Sequence, residues 1–331
     1  MRVLVTGASG FLGRAIVRSA AAAGHDVLAL VRPASSADGA GWPASVRIVR
    51  GDLRAPDFGD ELGELDGVIH AAAGTSGDLA SQLASSLVAT ERLLALVDLE
   101  RLERFVHVSS FSVYDFSATP GGDVIGPGST AIEPEPARRD AYTTTKIRQE
   151  DLVRRTCSRS ATPLVVLRPG VIFGEGNDWN WAAVGRVGRF ELVASPRSAF
   201  RLTYVENCAD AAVAALDAPE APGATIDVVD DDLPTHAGFR RLAADAGLEL
   251  PPTVPVPWFV LSAVGRVVDQ VDRRLLGARA KLPEILELRR QQARWKPFRY
   301  SNSDAKRLLG WTPRVTMAEA VARVARHRDA S

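Results

Sequence analysis

Cysteine is scarce: Cys157 and Cys208 are the only two in 331 residues, which excludes a disulfide framework and leaves no metal-ligand spacing. Five scattered histidines add no cluster, so no metal is expected. Surplus charge is also missing, because 40 Lys and Arg balance 40 Asp and Glu. A neutral chain lacks the basic excess that phosphate backbones demand, so nucleic acid is not expected as a partner. No apolar run reaches the roughly 18 residues that a membrane span needs, and neither an internal repeat nor a low-complexity tract is present. The chain opens directly on a strand-like run, which leaves no room for a signal peptide, and the expectation is a cytoplasmic protein. What is present is 46% hydrophobic and 24% charged, a globular composition long enough for one large α/β domain and a smaller second part.

The organising stretch is Met1-Arg-Val-Leu-Val-Thr-Gly-Ala-Ser-Gly-Phe-Leu-Gly13. Arg2 to Val5 is a short β-branched run suited to a central parallel strand. Gly7, Gly10 and Gly13 follow, and from Arg14 the pattern turns helical and Ala-rich. In such a strand–turn–helix, Gly7 permits the sharp turn and Gly10 lets backbone approach a pyrophosphate. Gly13 lets the helix lie close on the sheet. The helix N-terminus then offers free N–H groups and the positive end of its dipole to an anion.

Further strand-like runs end at Val31, Arg50, His70, Ser109 and Arg168, with helical segments between them. That alternation predicts a Rossmann-type doubly wound parallel sheet with helices on both faces. At the end of the second strand, where an acidic residue would hold an adenosine ribose, the chain has Val31 and then Arg32. A guanidinium without a carboxylate suits a 2′-phosphate, so NADP(H) is favoured and NAD(H) is the alternative. Asp52, after the third strand, can accept from the adenine amino group. Ala71, Ala72 and Ala73 leave room for a cofactor to lie on the backbone, whereas His70 is expected to bond locally. Residues 1–170 form the expected dinucleotide-binding domain and 171–331 the mainly substrate-binding part, with some segments returning to the first. In that second part Pro251 to Pro257 reads as a linker or extended edge. The helix from Trp258 is amphipathic, fit for packing, a subunit contact in a homodimer, a pocket wall or a membrane surface.

Tyr142 and Lys146 lie one helical turn apart, so their side chains share a face, and an ammonium there would lower the phenol toward working pH. Ser110 sits where ligands bind in parallel sheets, at a strand's carboxyl end, and can hold a substrate oxygen beside the tyrosine. Together they supply proton transfer at an alcohol or carbonyl oxygen while hydride moves at carbon. Pro169 and Gly170 close the sixth strand beside this place. The stretch Gly174-Glu-Gly-Asn-Asp-Trp-Asn-Trp181, read as strand-like, puts Trp179 and Trp181 on one side, as two indoles facing a flat or apolar substrate.

These motifs together resemble the extended short-chain dehydrogenase/reductases, the superfamily of NAD-dependent epimerases and dehydratases. The branch nearest in pattern holds 3β-hydroxysteroid dehydrogenases and dihydroflavonol reductases. The resemblance runs through Thr6-Gly-Ala-Ser-Gly-Phe-Leu-Gly13, Gly51-Asp-Leu53, His70-Ala-Ala-Ala73 and Val108-Ser-Ser-Phe-Ser-Val-Tyr114. It continues in Tyr142-x-x-x-Lys146, Arg168-Pro-Gly-Val-Ile-Phe-Gly174, Tyr204-Val-Glu-Asn207 and Lys306-Arg-Leu-Leu-Gly-Trp311. It implies Ser110, Tyr142 and Lys146 as catalytic, and Phe11, Leu12, Leu53 and Val171 as cofactor contacts beside the residues above. Phe111 and Ser112 stand where sugar dehydratases carry an acidic pair, which argues against dehydration. Glu175 replaces a common proline, and Ser86 a common asparagine. The resulting expectation is a reversible alcohol–ketone oxidoreductase acting on a small molecule. A nucleotide-sugar epimerase with tightly held NAD is the competing enzyme. A non-catalytic cofactor-binding protein is the third reading, although it would not need to keep the triad.

Overall fold

Seven short apolar runs, each too short for a buried helix, assemble into one parallel sheet in the computed structural model, which describes residues 1–35, 41–55, 57–275 and 283–329. They are β1 (Arg2–Thr6), β2 (Asp26–Val31), β3 (Arg47–Arg50), β4 (Gly67–His70), β5 (Arg104–Val108), β6 (Leu164–Pro169) and β7 (Thr225–Val228). Their spatial order is β7-β6-β5-β4-β1-β2-β3, and every neighbouring pair is parallel. This is the Rossmann-type order, in which the chain reverses its direction of growth between β1 and β4 and so opens a crevice at their carboxyl ends. Because helices cover both faces, β1, β2 and β4 to β7 are apolar almost throughout and nearly fully buried.

Three helices set the site. The first, α1 (Phe11–Ala22), buries Gly13, Ala15, Ile16, Val17 and Ala20 and packs against α3 (Val205–Asp217), whose buried face is also rich in alanine. Between them comes α2 (Ala141–Arg159), capped by Asp140, whose carboxylate accepts from the Thr143 N–H at 2.6 Å. The buried stripe of α2 is mostly polar at its start, with Lys146, Gln149 and Glu150, and apolar only at Val153 and Cys157.

Residues beyond 170 both return to the main sheet and build structure above its carboxyl edge. Thr225–Val228 joins as the edge strand β7, and α3 lies against α1. Val171–Phe173 pairs in parallel with Leu202–Tyr204, and Val124–Ile125 with Arg299–Tyr300. Of the two readings of the Pro251 to Pro257 run, linker or extended edge, the structure has the edge: Thr253–Val256 pairs with Phe190–Ala194, which pairs in turn with Gly185–Val187. Pro255 falls within this edge strand, where a missing N–H is tolerated, and Pro251, Pro252 and Pro257 flank it. The amphipathic helix α4 (Trp258–Leu275) buries Leu261 and Ser262 toward the helix Leu288–Trp295, while Phe259, Val264, Val267 and Val271 on its other face are exposed. Among the described residues, no helix is long and apolar enough to cross a membrane.

Candidate active site

The β1–α1 turn has the geometry its glycines demand. Gly7 has φ +70°, and a Cβ there would lie 2.8 Å from the Ala72 nitrogen. Gly7 is thereby pressed against the backbone of Ala71 and Ala72, which follows β4, with Ala73 next in the chain. Gly13 abuts the Gly7 carbonyl so closely that a Cβ would fall 2.0 Å from its oxygen. Gly10 is the N-cap of α1, with no side-chain cap and no acidic residue in the first turn, so the opening N–H groups remain available to an anion. The residues present therefore fit a dinucleotide's pyrophosphate.

Toward the far edge, the ends of β2 and β3 bring Arg32 near Asp52. Arg32 is exposed, its carbonyl accepts from the Ser35 N–H at 2.9 Å, and its guanidinium makes no hydrogen bond or ion pair among the described residues. Asp52 is held otherwise than the sequence implies. Its carboxylate accepts from Arg54 Nε at 3.0 Å and Nη2 at 2.6 Å, which pulls it below the ordinary carboxylate range. Arg54 thus brings a second cation to this corner, a residue that sequence reading passed over because no motif includes it. Ser35 adds a hydroxyl bonded to Ser9 in the glycine turn, and Leu53 is buried beneath.

Toward the other edge lie Ser110, Tyr142 and Lys146. Ser110 caps the short turn Phe111–Val113, its Oγ accepting from the Ser112 N–H at 3.1 Å. The Ser110 hydroxyl pulls the Tyr142 phenol down, but burial, first, and Asp140 hold it above its ordinary value. Lys146 is buried one turn along α2, and its Nζ donates to the Val108 carbonyl at 2.8 Å and to Gln149 Oε1 at 3.1 Å. Burial brings its ammonium down to about 8, and Glu150 pushes it partly back up. Here the sequence expectation needs correction, because the ammonium does not lower the phenol: it is turned to the end of β5. Pro169 and Val171 border the same place, since the Ser109 N–H donates to the Leu167 carbonyl at 2.7 Å and so ties the end of β5 to β6.

Beneath the triad runs a buried polar network that short motifs do not reveal. Gln149 Nε2 donates to the Ala72 carbonyl at 3.0 Å and to Thr90 Oγ1 at 2.8 Å, so its Oε1 is left to face Lys146. His70 lies between Thr6 and Thr90 at 2.7 and 2.8 Å, and burial lowers it to about 3, which keeps it neutral. It bonds locally, as expected. Glu150 accepts from Ser109 Oγ at 2.5 Å and from Arg168 Nη2 at 2.6 Å, and also pairs with Arg154. Ser86 lies in a π-helical turn, Ala84–Val88, and accepts from the Gly74 N–H at 2.9 Å.

The sequence matches the family described as "NAD dependent epimerase/dehydratase family" over residues 3–228, a span that includes every element just described. The chain belongs to this family. It is an enzyme of the extended short-chain dehydrogenase/reductase superfamily, with a Rossmann-like fold and a nicotinamide dinucleotide cofactor. It is 28% identical over 341 residues to the 2-alkyl-3-oxoalkanoate reductase of Stenotrophomonas maltophilia (strain K279a), an alignment covering 98% of each chain. It is 27% identical over 340 residues to the dTDP-6-deoxy-L-talose 4-dehydrogenase (NAD(P)(+)) of Kitasatospora kifunensis, covering 97% of this chain and 93% of that one. In structure it resembles the UDP-glucuronic acid 4-epimerase from Bacillus cereus in complex with NAD, with a TM-score of 0.72 at 17% identity, covering 100% of this chain and 99% of the other.

Two features set this family member's upper region apart from what its sequence implies. Trp179 and Trp181 do not share a side of a strand. Residues Trp179, Asn180, Trp181 and Ala182 all have positive φ, between 48° and 65°, and form a left-handed turn. Trp179 faces outward and donates to the Ile172 carbonyl at 2.9 Å. Trp181 is 1% exposed and packs on Phe239 with ring centroids 5.2 Å apart. Trp181 is thus a core residue, and no aromatic pair faces a substrate. Glu175, in the place of a common proline, accepts from the Tyr204 hydroxyl at 2.9 Å.

Proposed function

We propose that this protein is an NADP(H)-dependent reductase that converts a ketone to a secondary alcohol, reversibly, with Ser110, Tyr142 and Lys146 as its catalytic set. The observation that carries the reading is the placement of α2, with Tyr142 and buried Lys146 one turn apart, against the carboxyl end of β5 that Ser110 closes, fixed by the Lys146 Nζ bond to the Val108 carbonyl. When bound, the nicotinamide supplies hydride to, or accepts it from, the substrate carbon. The protein's own part is proton transfer and positioning. A phenol held above its ordinary value by burial is protonated at neutral pH, so Tyr142 is poised to donate its proton to a carbonyl oxygen. The Ser110 hydroxyl steadies that same oxygen. Lys146, positioned by Gln149 and the Val108 carbonyl one turn along α2, is the residue that would donate to the nicotinamide ribose.

The preference for NADP(H) rests on unpaired Arg32, with Arg54 and Ser35 nearby, at the end of β2 where no carboxylate stands. Residues 171–331 supply the substrate side, apart from β7 and α3. The full-length likeness to a 2-alkyl-3-oxoalkanoate reductase supports net reduction of a 3-oxo acid. Phe111 and Ser112 follow Ser110 with no acid to assist loss of water. Tyr142→Phe tests the mechanism: cofactor binding should persist while turnover falls by about two orders of magnitude or more. Near-parental turnover in that variant would refute it.

A further inference from the structure

Arg201 precedes the strand Leu202–Tyr204, and its carbonyl accepts from the Val171 N–H at 2.7 Å. A Cβ on Gly170 would lie 2.3 Å from that same oxygen, so Arg201 is fixed against the end of β6, beside the triad. Its guanidinium lies 5.2 Å from the Phe116 ring centre and 6.0 Å from that of Tyr300. Tyr300 in turn meets Phe111, the residue after Ser110, with ring centroids 5.7 Å apart. Arg201 is half-buried, yet among the described residues it has no carboxylate and no carbonyl as partner.

Three acids lie around the adjacent Arg139, and each is also held elsewhere. Asp115 accepts from the Ser117 and Ala118 N–H groups, Asp140 caps α2, and Glu133 pairs with Arg289. A second guanidinium, Arg139, lies 5.5 Å from the centre of the same Phe116 ring and donates to the Ser112 and Tyr114 carbonyls. Those carboxylates face Arg139 and Arg289, and among the described residues Arg201 is left without an acid or a carbonyl as partner. The Phe116 and Tyr300 rings lie beside the Arg201 guanidinium, no described acid or carbonyl takes its N–H groups, and a planar fork of donors is suited to a carboxylate or phosphate.

We infer that Arg201 is the docking point for an anionic group of the substrate, a carboxylate or a phosphate, which it holds while the ketone lies against Ser110 and Tyr142. This deepens the proposed reductase reading and rests on it for the ketone, but the anion site itself can be read by binding alone. Calorimetric titration of decanoate and of its methyl ester into the NADP+-saturated protein gives the carboxylate contrast, and dTDP provides the phosphate probe. In the parent, decanoate or dTDP should bind at least tenfold tighter than the ester, and whichever does identifies the anion. Arg201→Gln should remove that preference while leaving ester binding within about threefold, and Arg201→Lys should restore part of it. A preference that survives in Arg201→Gln, or no preference for either anion in the parent, overturns the inference. Turnover separates the two readings. Arg201-dependent anion binding in a protein that oxidises no NADPH with any ketone would sustain the anion site and remove the reductase. An equal loss for acid and ester alike in Arg201→Gln would do the reverse.

Discussion

Gly13→Ala is the sharpest perturbation of the cofactor turn. The added methyl would lie 2.0 Å from the Gly7 oxygen, 2.7 Å from the Gly7 carbonyl carbon and 2.9 Å from the Ala8 Cα. All three are backbone atoms, so no flexible side chain can give way. Ordinary contact begins near 3.4 Å, and the turn must therefore move by more than an ångström, against a Gly7 already committed to φ +70°. Overpacking of this kind costs about 1–3 kcal/mol, while alanine's better helix propensity returns only about 1 kcal/mol. The net loss, up to about 2 kcal/mol, should lower Tm by about 1–3 °C in a chain of this size. The same shift displaces the N–H groups that open α1, so affinity for NADP(H) should fall at least tenfold, as an ångström of misplacement commonly does. Calorimetry for Kd and a thermal melt for Tm read both effects. Gly128→Ala, with no atom within 4 Å and no positive φ, is the matched control. Parental Tm and Kd in Gly13→Ala would refute the reasoning.

Trp181→Ala should destabilise the fold by about 3–5 kcal/mol, whereas Trp179→Ala should lose about 1 kcal/mol, one hydrogen bond; equal melting temperatures for the two variants would contradict the split. Asp230, whose carboxylate accepts from the Tyr204 N–H at 2.8 Å, is pushed up by burial from 3.8 to about 7. The native state therefore holds the proton more tightly than the unfolded chain, so stability is greatest at low pH and is lost as pH rises between these values, at up to about 1.4 kcal/mol per pH unit. Asp230→Asn should gain on the parent in Tm from pH 5 to pH 7, and a constant difference would contradict this. Gln149→Leu should free Lys146 from its fixed acceptor, lower kcat about tenfold and move its alkaline limb; a changed Tm with an unchanged pH profile would assign Gln149 to packing alone.

The sheet was legible because buried parallel strands read as apolar runs closed by glycine or a helix signal, as in β1, β2 and β5. The triad was legible because Tyr142 and Lys146 are one turn apart on a single helix. The network beneath was not, since Gln149 meets His70 and Thr90 only after three distant segments are folded together. The polar buried stripe of α2 also defeats hydrophobic periodicity, which expects apolar residues where Lys146 and Glu150 lie. Trp179 to Ala182 misled for a different reason. Left-handed backbone at four successive non-glycine residues has no sequence signature, so alternation was the only guide and it pointed the wrong way. The prolines around Thr253–Val256 left linker and edge both open, and Arg54 became visible only when its bond to Asp52 did.

The central claim is net, Tyr142-dependent reduction with exchangeable NADPH. Absorbance at 340 nm, with a 2-alkyl-3-oxo acid and with matched ketones as substrates, measures it directly, with product alcohol counted in the same reaction. One NADPH should be consumed per alcohol formed in the parent, with more than a hundredfold loss in Tyr142→Phe. A protein that holds NAD through purification, consumes no NADPH and inverts a hydroxyl of a nucleotide sugar would contradict it.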